Sequence, residues 1–154
     1  MSIPTEILPG VFIGDQFVAN NFEFFVKHNI VRVINCTPDV PFYFPWVQYF
    51  RINLNDISNT ENNEIMAKNI PFAITFIYQV LQENFTNSFP KKSVLIHCHA
   101  GISRSCTVAA ALLRSCCTDN VDIAIAMVIS KRPIAFFNGT FINFRKALYL
   151  VFNE

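Results

Sequence analysis

The sequence predicts an α/β domain in which helices flank a central, twisted and mostly parallel β-sheet. Short β-branched runs of strand length alternate along the chain with longer segments of helical periodicity, which is typical of strand–helix–strand units. One run is apolar at successive positions, as expected for a strand covered by helices on both faces. With 154 residues, 52% of them hydrophobic and 15% charged, the chain suits one core. We therefore expect a single domain over residues 1–154.

The first predicted elements are two short strands within EILPGVFIGD (6–15), where Gly10 and Gly14 mark the turns. A short helix is predicted for 20–28, because an Asn cap precedes an apolar pattern there. The residues expected on the buried face of this helix are Phe22, Phe25 and Val26.

The middle of the chain contains two further strands and the longest helix. The β-branched run IVRVINC (30–36) predicts one strand, and the alternating segment VQYFRINL (47–54) predicts another. Three prolines make the intervening segment 38–46 a loop. A helical pattern then covers 60–85, and Pro71 is expected to kink or divide it.

The last third begins with the strand KSVLIHC (92–98), which is followed by helical segments at about 104–117, 120–131 and 140–153. Asn120 is expected to cap the second of these helices, and Asn138-Gly139-Thr140 to open the third. In sheets of this kind, ligands bind at the carboxyl ends of the strands. Cys98 lies at such an end.

Charge and hydropathy exclude several classes of partner. The net charge of +1 gives no global attraction to nucleic acid or to an anionic membrane, so neither is expected as a partner. No apolar run approaches the roughly 18 residues needed to span a bilayer, and the N-terminus lacks the pattern of a signal peptide. No heptad seam is readable, and the oligomeric state stays open.

The cysteine pattern favours a location in a reducing compartment. This compartment is the cytoplasm or also the nucleus. The five cysteines, at 36, 98, 106, 116 and 117, are odd in number and form no CxxC pair, which argues against a disulfide framework and a zinc site. We expect no metal and no other cofactor. Cys36 and Cys106 are read as packing residues, with a second interpretation as redox partners of Cys98.

The segment after the third clear strand, CHAGISRS, predicts an anion-binding loop. Its backbone N–H groups, from His99, Ala100, Gly101, Ile102 and Ser103, precede a helix start, and successive N–H groups at a helix N-terminus can surround an anion. Gly101 permits a sharp turn. Arg104 offers a planar pair of donors for two phosphate oxygens. The same donors favour a thiolate at Cys98, which is the form that attacks.

Three neighbours of this loop have candidate roles. Ser105 could donate a hydrogen bond to the sulfur of Cys98 and ease its departure in a second step. His97 either orients the loop through backbone contacts or is simply a buried, hydrogen-bonded histidine. His99 is expected at the rim.

The pattern H-C-x-x-G-x-x-R-[ST], present as His97, Cys98, Gly101, Arg104 and Ser105, resembles the signature of the cysteine-dependent protein tyrosine phosphatase superfamily. The whole chain is similar to the small dual-specificity phosphatases. Besides the signature, the similar segments are ILPGVFIGDQFVANN, VINCTPD and KRPIAFFNGTFINFRKAL. The resemblance implies a protein tyrosine phosphatase-like fold.

The resemblance also implies supporting roles for two asparagines. Asn35, at the end of its strand, would brace the catalytic loop, and Asn138 would buttress the site. Phe137 stands where the family usually has proline, which departs from the pattern in that segment.

A proton donor for the leaving oxygen is implied in YFRINLNDISN, where Asp56 matches the family's aspartate, although Asn53 replaces a proline that is frequent there. Asp39, in the proline-rich loop, is the nearest competitor. Asp15 lies too close to the N-terminal strands to be chosen.

The implied reaction has two steps. The Cys98 thiolate attacks phosphorus while Asp56 protonates the leaving oxygen, and Asp56 then deprotonates the water that hydrolyses the cysteinyl phosphate. Substrates implied by the resemblance are phosphoproteins, with phosphotyrosine and phosphoserine or phosphothreonine. The alternatives are a phosphoinositide phosphatase, disfavoured because HAGIS has no lysine, an RNA 5′-triphosphatase, unsupported by the net charge, and a non-catalytic phosphoprotein-binding module.

Overall fold

A computed structural model of the protein describes residues 3–86, 90–136 and 144–154, and these contain five strands and five α-helices. The strands are β1 (Thr5–Leu8), β2 (Val11–Gly14), β3 (Ile30–Asn35), β4 (Gln48–Arg51) and β5 (Ser93–His97). The helices are α1 (Phe22–Lys27), α2 (Thr60–Thr86), α3 (Arg104–Cys116), α4 (Val121–Lys131) and α5 (Arg145–Phe152). Within the described ranges, no helix has the length and apolar character that crossing a membrane requires.

The strands form one sheet in the order β1-β2-β5-β3-β4. Strands β2, β5, β3 and β4 are parallel, and β1 pairs antiparallel with β2 at the edge. The predicted mostly parallel sheet is therefore confirmed. The last residue of β5, His97, lies in register with Gly14 of β2 and Asn35 of β3, so the loop that begins at Cys98 emerges at the carboxyl edge of the central strand.

Each face of the sheet carries its own core. Successive residues of β5 alternate between them, since Val94 and Ile96 belong to one cluster and Leu95 to the other. The larger cluster receives the buried residues of helices α2 to α5, and the smaller one receives those of α1 and of the loop after β3. All five residues of β5 are buried, as predicted for a strand covered on both faces.

Helix α1 forms where predicted, and its predicted buried face is confirmed for Phe25 but wrong for Phe22 and Val26. The Oδ1 of Asn21 accepts a hydrogen bond from the N–H of Phe24, so the Asn cap is confirmed. Phe24 and Phe25 are buried, whereas Phe22 and Val26 are 57% and 59% exposed. The helix has only six residues, and the sheet contacts it from the side of Phe24, whose ring packs edge-on against that of Phe12.

Helix α2 runs through Pro71 without division, so the predicted division is wrong, while a kink at this residue stays a prediction. Its buried residues follow helical spacing on one stripe, namely Asn63, Met66, Ile70, Ala73, Ile74, Ile77 and Val80. Pro71 lies on the exposed side. The burial of the apolar stripe therefore holds the helix together across a residue that lacks an N–H group.

The remaining differences concern element ends. Strand β4 is shorter than the predicted 47–54. The predicted Asn120 cap of α4 is confirmed, because its side chain accepts a hydrogen bond from the N–H of Ile123. Helix α5 begins at Arg145, with Phe144 as its N-cap. The start predicted near 140 lies outside the described residues, as do the proposed opening residues 138–140.

Candidate active site

Cys98 lies at the end of β5, in a loop that leads directly into α3. The residue is 2% exposed. The backbone N–H of Gly101 donates to Sγ of Cys98 at 3.3 Å, and Oγ of Ser105 lies 3.2 Å from the same sulfur. The sulfur therefore has a backbone N–H group and a hydroxyl within hydrogen-bond distance. The structure thus brings Gly101 and Ser105 to the sulfur of Cys98, and the role of Cys98 as nucleophile stays a prediction.

Arg104 is the first residue of α3. Its guanidinium group has one nitrogen with a hydrogen-bond acceptor and another without one among the described residues. The guanidinium Nη1 donates to the carbonyl of Leu54 at 2.7 Å, and the residue is 2% exposed. Within the described residues, its Nε has no hydrogen-bond partner. A buried, charged donor without a protein acceptor is costly, and a bound oxyanion would satisfy it.

Asp56 faces this free donor across a gap. Its Oδ1 lies 3.8 Å from Nε of Arg104 and, among the described residues, has no hydrogen-bond partner either. Burial raises the pKa of Asp56 above its ordinary value, and the charges of Arg104 and His99 lower it in part. The structure therefore brings the predicted acid beside the loop, in an environment that raises its pKa.

The other two candidate acids have different partners. Oδ1 of Asp39 pairs with Nε2 of His99 at 2.7 Å, on the exposed rim of the loop. Oδ1 of Asp15 accepts the N–H groups of Phe17 and Val18 and so caps a short 3₁₀ turn. Of the three carboxylates, Asp56 has the ion-pair contact with Arg104.

His97 is fully buried, and its ring contacts the loop backbone. Nδ1 lies 3.3 Å from the carbonyl oxygen of Cys98, while Nε2 has no partner among the described residues. Burial lowers the pKa of His97 to about 4, so the imidazole is neutral at pH 7 and Nδ1–H donates to this carbonyl. The two interpretations of His97 are therefore compatible, because the residue is buried and its ring also contacts the loop.

Asn35 does not brace the catalytic loop directly, and that prediction is corrected here. Its Nδ2 donates to the carbonyl of Val40 at 2.8 Å, and its Oδ1 accepts hydrogen bonds from the N–H and the hydroxyl of Thr37. The side chain therefore shapes the loop after β3. That loop in turn reaches the catalytic loop through the contact between Asp39 and His99.

Gly101 has the backbone conformation that the predicted turn requires. Its φ is +68°, which favours glycine, and a Cβ there would lie 2.6 Å from Nη2 of Arg132 and 2.9 Å from the carbonyl oxygen of Gly14. Any larger residue at position 101 would displace both neighbours. Ala100 at the loop tip is exposed and Ile102 is half-buried, while the buried Oγ of Ser103 has no partner within the described ranges.

Two arginines shape the site, although no spacing pattern in the sequence marks either of them. Arg132 donates from Nε to the carbonyl of Gly101 at 2.7 Å. Arg51 donates to the carbonyls of Thr37 and Val40. These contacts join segments far apart in the chain, and a single arginine at a helix or strand end has no spacing pattern that marks it.

Two further predictions concern residues near the loop. Cys36 and Cys106 are buried, reduced thiols, and Sγ of Cys106 donates to the carbonyl of Gly101 at 3.4 Å. Burial raises the pKa of both thiols, which suits packing, and their reaction with an oxidised Cys98 stays a prediction. Asn138 and Phe137 lie outside the described residues.

Comparisons with known proteins show which family this chain resembles. Residues 11–153 match the family described as "Dual specificity phosphatase, catalytic domain". The human protein named "Dual specificity protein phosphatase 9" is 31% identical over 153 residues, which cover 97% of this chain and 38% of that protein. The Drosophila melanogaster protein "Dual specificity protein phosphatase Mpk3" is 34% identical over 134 residues, 84% of this chain and 30% of that protein. The chain thus spans less than two fifths of the length of these relatives.

A solved structure supports the fold. The crystal structure of human DUSP28 superposes with a TM-score of 0.80 at 20% identity, over 97% of this chain and 93% of that one. At this identity the likeness concerns the fold.

Proposed function

Because the chain belongs to the dual specificity phosphatase catalytic-domain family, we propose that it hydrolyses phosphotyrosine and phosphoserine or phosphothreonine in proteins. The observation that carries the proposal is the loop around Cys98, in which Gly101 N–H and Ser105 Oγ lie within hydrogen-bond distance of Sγ. A buried thiolate next to the free donor of Arg104 can attack an anion that the same loop binds.

In the first step, Sγ of Cys98 attacks phosphorus and the bond from phosphorus to the ester oxygen breaks. Asp56 transfers its proton to that oxygen, so that an alcohol or phenol leaves instead of an alkoxide. The N–H groups of residues 99–104 and the guanidinium of Arg104 stabilise the equatorial phosphate oxygens as charge redistributes. The product of this step is a cysteinyl phosphate.

In the second step, ionised Asp56 accepts a proton from a water molecule, and that water attacks the phosphorus. The bond between sulfur and phosphorus breaks, and the Ser105 hydroxyl, 3.2 Å from Sγ, donates a hydrogen bond to the departing thiolate. Inorganic phosphate leaves and Asp56 is again protonated. All proton transfers in this scheme use side chains of the chain itself.

Hydrolysis of an aryl phosphate by three variants tests the catalytic assignment. Cys98→Ser is expected to abolish turnover, since a serine hydroxyl is not ionised at pH 7, and Asp56→Asn to reduce it strongly. Cys117→Ser, a change of the same kind at an exposed cysteine, should retain wild-type turnover. Full turnover by Cys98→Ser would refute the proposed mechanism.

The substrate class is tested with a panel of phosphotyrosine and phosphoserine peptides, phosphoinositides and an RNA 5′-triphosphate. We expect release of phosphate from the peptides at the highest kcat/KM. Preference for a phosphoinositide or for RNA would reassign the substrate, and binding of phosphopeptides without turnover by the wild type would indicate a binding module.

The proposal also includes the setting of the reaction. The catalytic domain is taken as residues 1–154, with phosphoproteins as partners, no nucleic acid or membrane partner, and the oligomeric state left open. A reducing compartment, the cytoplasm or also the nucleus, is proposed because the mechanism needs a reduced Cys98.

A further inference from the structure

Arg132 is a buried cation that the proposed reaction does not use. It follows α4 directly as its C-cap and is 7% exposed. Its partners are the carbonyls of Gly101 and Ile3 and the hydroxyl of Thr5, at 2.7, 3.0 and 2.9 Å. No carboxylate forms a salt bridge with it among the described residues. Burying a charge without a counter-charge is costly, so the position of Arg132 requires a reason.

The segment that starts at Arg132 holds two successive carbonyls of the catalytic loop. Nε of Arg132 donates to the carbonyl of Gly101, and the backbone N–H of Phe136 donates to the carbonyl of Ile102 at 2.8 Å. Cys106 adds a second donor to the carbonyl of Gly101, at 3.4 Å. Two consecutive peptide groups of the loop are therefore fixed from outside the loop.

Fixing these carbonyls also fixes the N–H groups on the opposite side of each peptide. In a planar trans peptide the C=O and N–H bonds point in opposite directions. The N–H of Ile102 therefore points away from the direction of the Gly101 carbonyl. In the same way, the N–H of Ser103 points away from the direction of the Ile102 carbonyl. The donors on the outer side hold both carbonyls outward. Both N–H groups then face the concave side, where the N–H of Gly101 already donates to Sγ of Cys98.

The loop and Arg132 also fit each other sterically. A Cβ at position 101 would lie 2.6 Å from Nη2 of Arg132, so the guanidinium fills the space that a side chain would occupy. Phe136, which holds the second carbonyl, has a φ of +60°. A non-glycine residue in this conformation is strained, and such strain is concentrated at functional sites.

We propose that Arg132 is a positioning residue, which holds the carbonyl of Gly101 outward and thereby aims the N–H groups of the catalytic loop at the bound phosphate. The guanidinium also polarises this peptide group, because a charged donor on the carbonyl strengthens the donor capacity of the N–H. The inference rests on the proposed function for the identity of the anion. Phosphate affinity then depends on Arg132, although this residue does not itself contact the phosphate.

The test measures phosphate affinity without turnover. Tryptic cleavage after Lys92 and Arg104 gives peptide 93–104, in which Cys98 is the sole cysteine. Mass spectrometry of this peptide follows the rate of alkylation of Cys98 by iodoacetamide at increasing concentrations of inorganic phosphate, and the protection curve gives the dissociation constant. Turnover of an aryl phosphate is measured in parallel.

Arg132→Met keeps the length of the side chain and removes its donors. We expect weaker phosphate binding by about tenfold or more, the effect of losing a charged hydrogen bond, with a fall of kcat/KM at least as large. Arg132→Lys retains the charge and an ammonium group that can donate, but loses the planar guanidinium, and should restore part of the affinity. The matched control is Arg114→Met, at the opposite end of α3, where the arginine pairs with Glu154 and where phosphate affinity should not change.

Circular dichroism establishes that each variant is folded. If Arg132→Met does not fold, the test relies on Arg132→Lys. In this variant phosphate is expected to protect Cys98 from alkylation more weakly than in the wild type. Phosphate affinity equal to that of the wild type in a folded Arg132 variant overturns the inference, as does a wild type that phosphate does not protect. A wild type that phosphate protects but that turns over no phosphoester would refute the proposed function and leave the role of Arg132 standing.

Discussion

Asp56 shows how one residue acquires its chemistry from its surroundings. Burial favours the neutral carboxyl and raises the pKa, while Arg104 and His99 favour the carboxylate and lower it in part. Because burial is the larger effect, Asp56 keeps its proton to a higher pH than an exposed aspartate. A general acid needs this property, since it must be protonated when the substrate binds.

The first prediction concerns the pH dependence of this acid. For an alkyl phosphate, kcat/KM should fall as pH rises through the raised pKa of Asp56, because the deprotonated form cannot protonate the leaving oxygen. Asp56→Asn should lower kcat by about 10² to 10⁴-fold and remove this alkaline fall. Steady-state rates over a pH series that starts near the ordinary pKa of aspartate, about 3.9, measure both effects.

Asp39→Asn is the control for this experiment, since Asp39 is the other carboxylate at the rim and pairs with His99. It should retain the alkaline fall. The assignment is wrong if the fall persists in Asp56→Asn and disappears in Asp39→Asn, because the acid would then be Asp39.

At the residue scale, the catalytic loop could be predicted because its members are close in sequence. Cys98, Gly101 and Arg104 lie within one strand-to-helix junction, and local spacing determines what they can do together. The acceptor for Arg104, the carbonyl of Leu54, is 50 residues away, and Arg132 is 31 residues from Gly101. Such contacts depend on how helices and loops dock on the sheet, which no local pattern specifies.

At the scale of elements, the order of strands and helices was predictable, while details that depend on packing were not. Strand β5 was clear because its apolar run reflects burial on both faces. The face of α1 was predicted only in part, because six residues are too few for periodicity to identify a side, and Phe22 instead packs at the surface against Trp46. The sequence indicates only the local tendency of Pro71 to interrupt a helix. Burial of the apolar stripe keeps α2 continuous in spite of this tendency.

The continuous helix α2 leads to the second prediction. Pro71→Ala restores an N–H group that can donate to the carbonyl of Ala67 one turn earlier and removes the ring from the helix. The free energy of unfolding should rise by about 1–3 kcal/mol, with some loss because the unfolded chain gains freedom. Urea denaturation measures the change, and kcat/KM for an aryl phosphate should not change.

Pro41→Ala provides the comparison, because Pro41 lies in the loop after β3, outside the helices and strands. No gain in stability is expected there. A Pro71→Ala variant no more stable than the wild type would mean that the helix has adapted to the proline fully, and that the missing hydrogen bond carries no cost.

At the scale of the whole molecule, affinity for an anion must come from local charge, because the net charge is only +1. Two arginines supply it from opposite sides of one loop, Arg104 within the site and Arg132 behind it. Both are almost fully buried. The sheet makes this arrangement possible, because its central strand delivers Cys98 to a position that segments from both ends of the chain can reach.

The two cores are joined by the same strands, and this connection leads to the last prediction. Because Val94 and Ile96 pack into one core and Leu95 into the other, neither core can unfold without exposing β5. Phe25→Ala removes a large buried ring from the smaller core and should cost about 3–5 kcal/mol. Unfolding in urea should nevertheless remain a single transition.

Three signals follow this transition independently. The fluorescence of Trp46, the one tryptophan in the chain, reports on the edge of the smaller core, where this half-exposed ring packs near Phe44. Phosphatase activity reports on the loop at Cys98, and far-UV circular dichroism reports on the helices, most of which cover the other face. All three should shift together to lower urea in Phe25→Ala, while Phe72→Ala, at a ring that is 67% exposed, should shift them little. If fluorescence were lost at lower urea than activity, the two faces would unfold separately, and the proposal of one domain over residues 1–154 would be wrong.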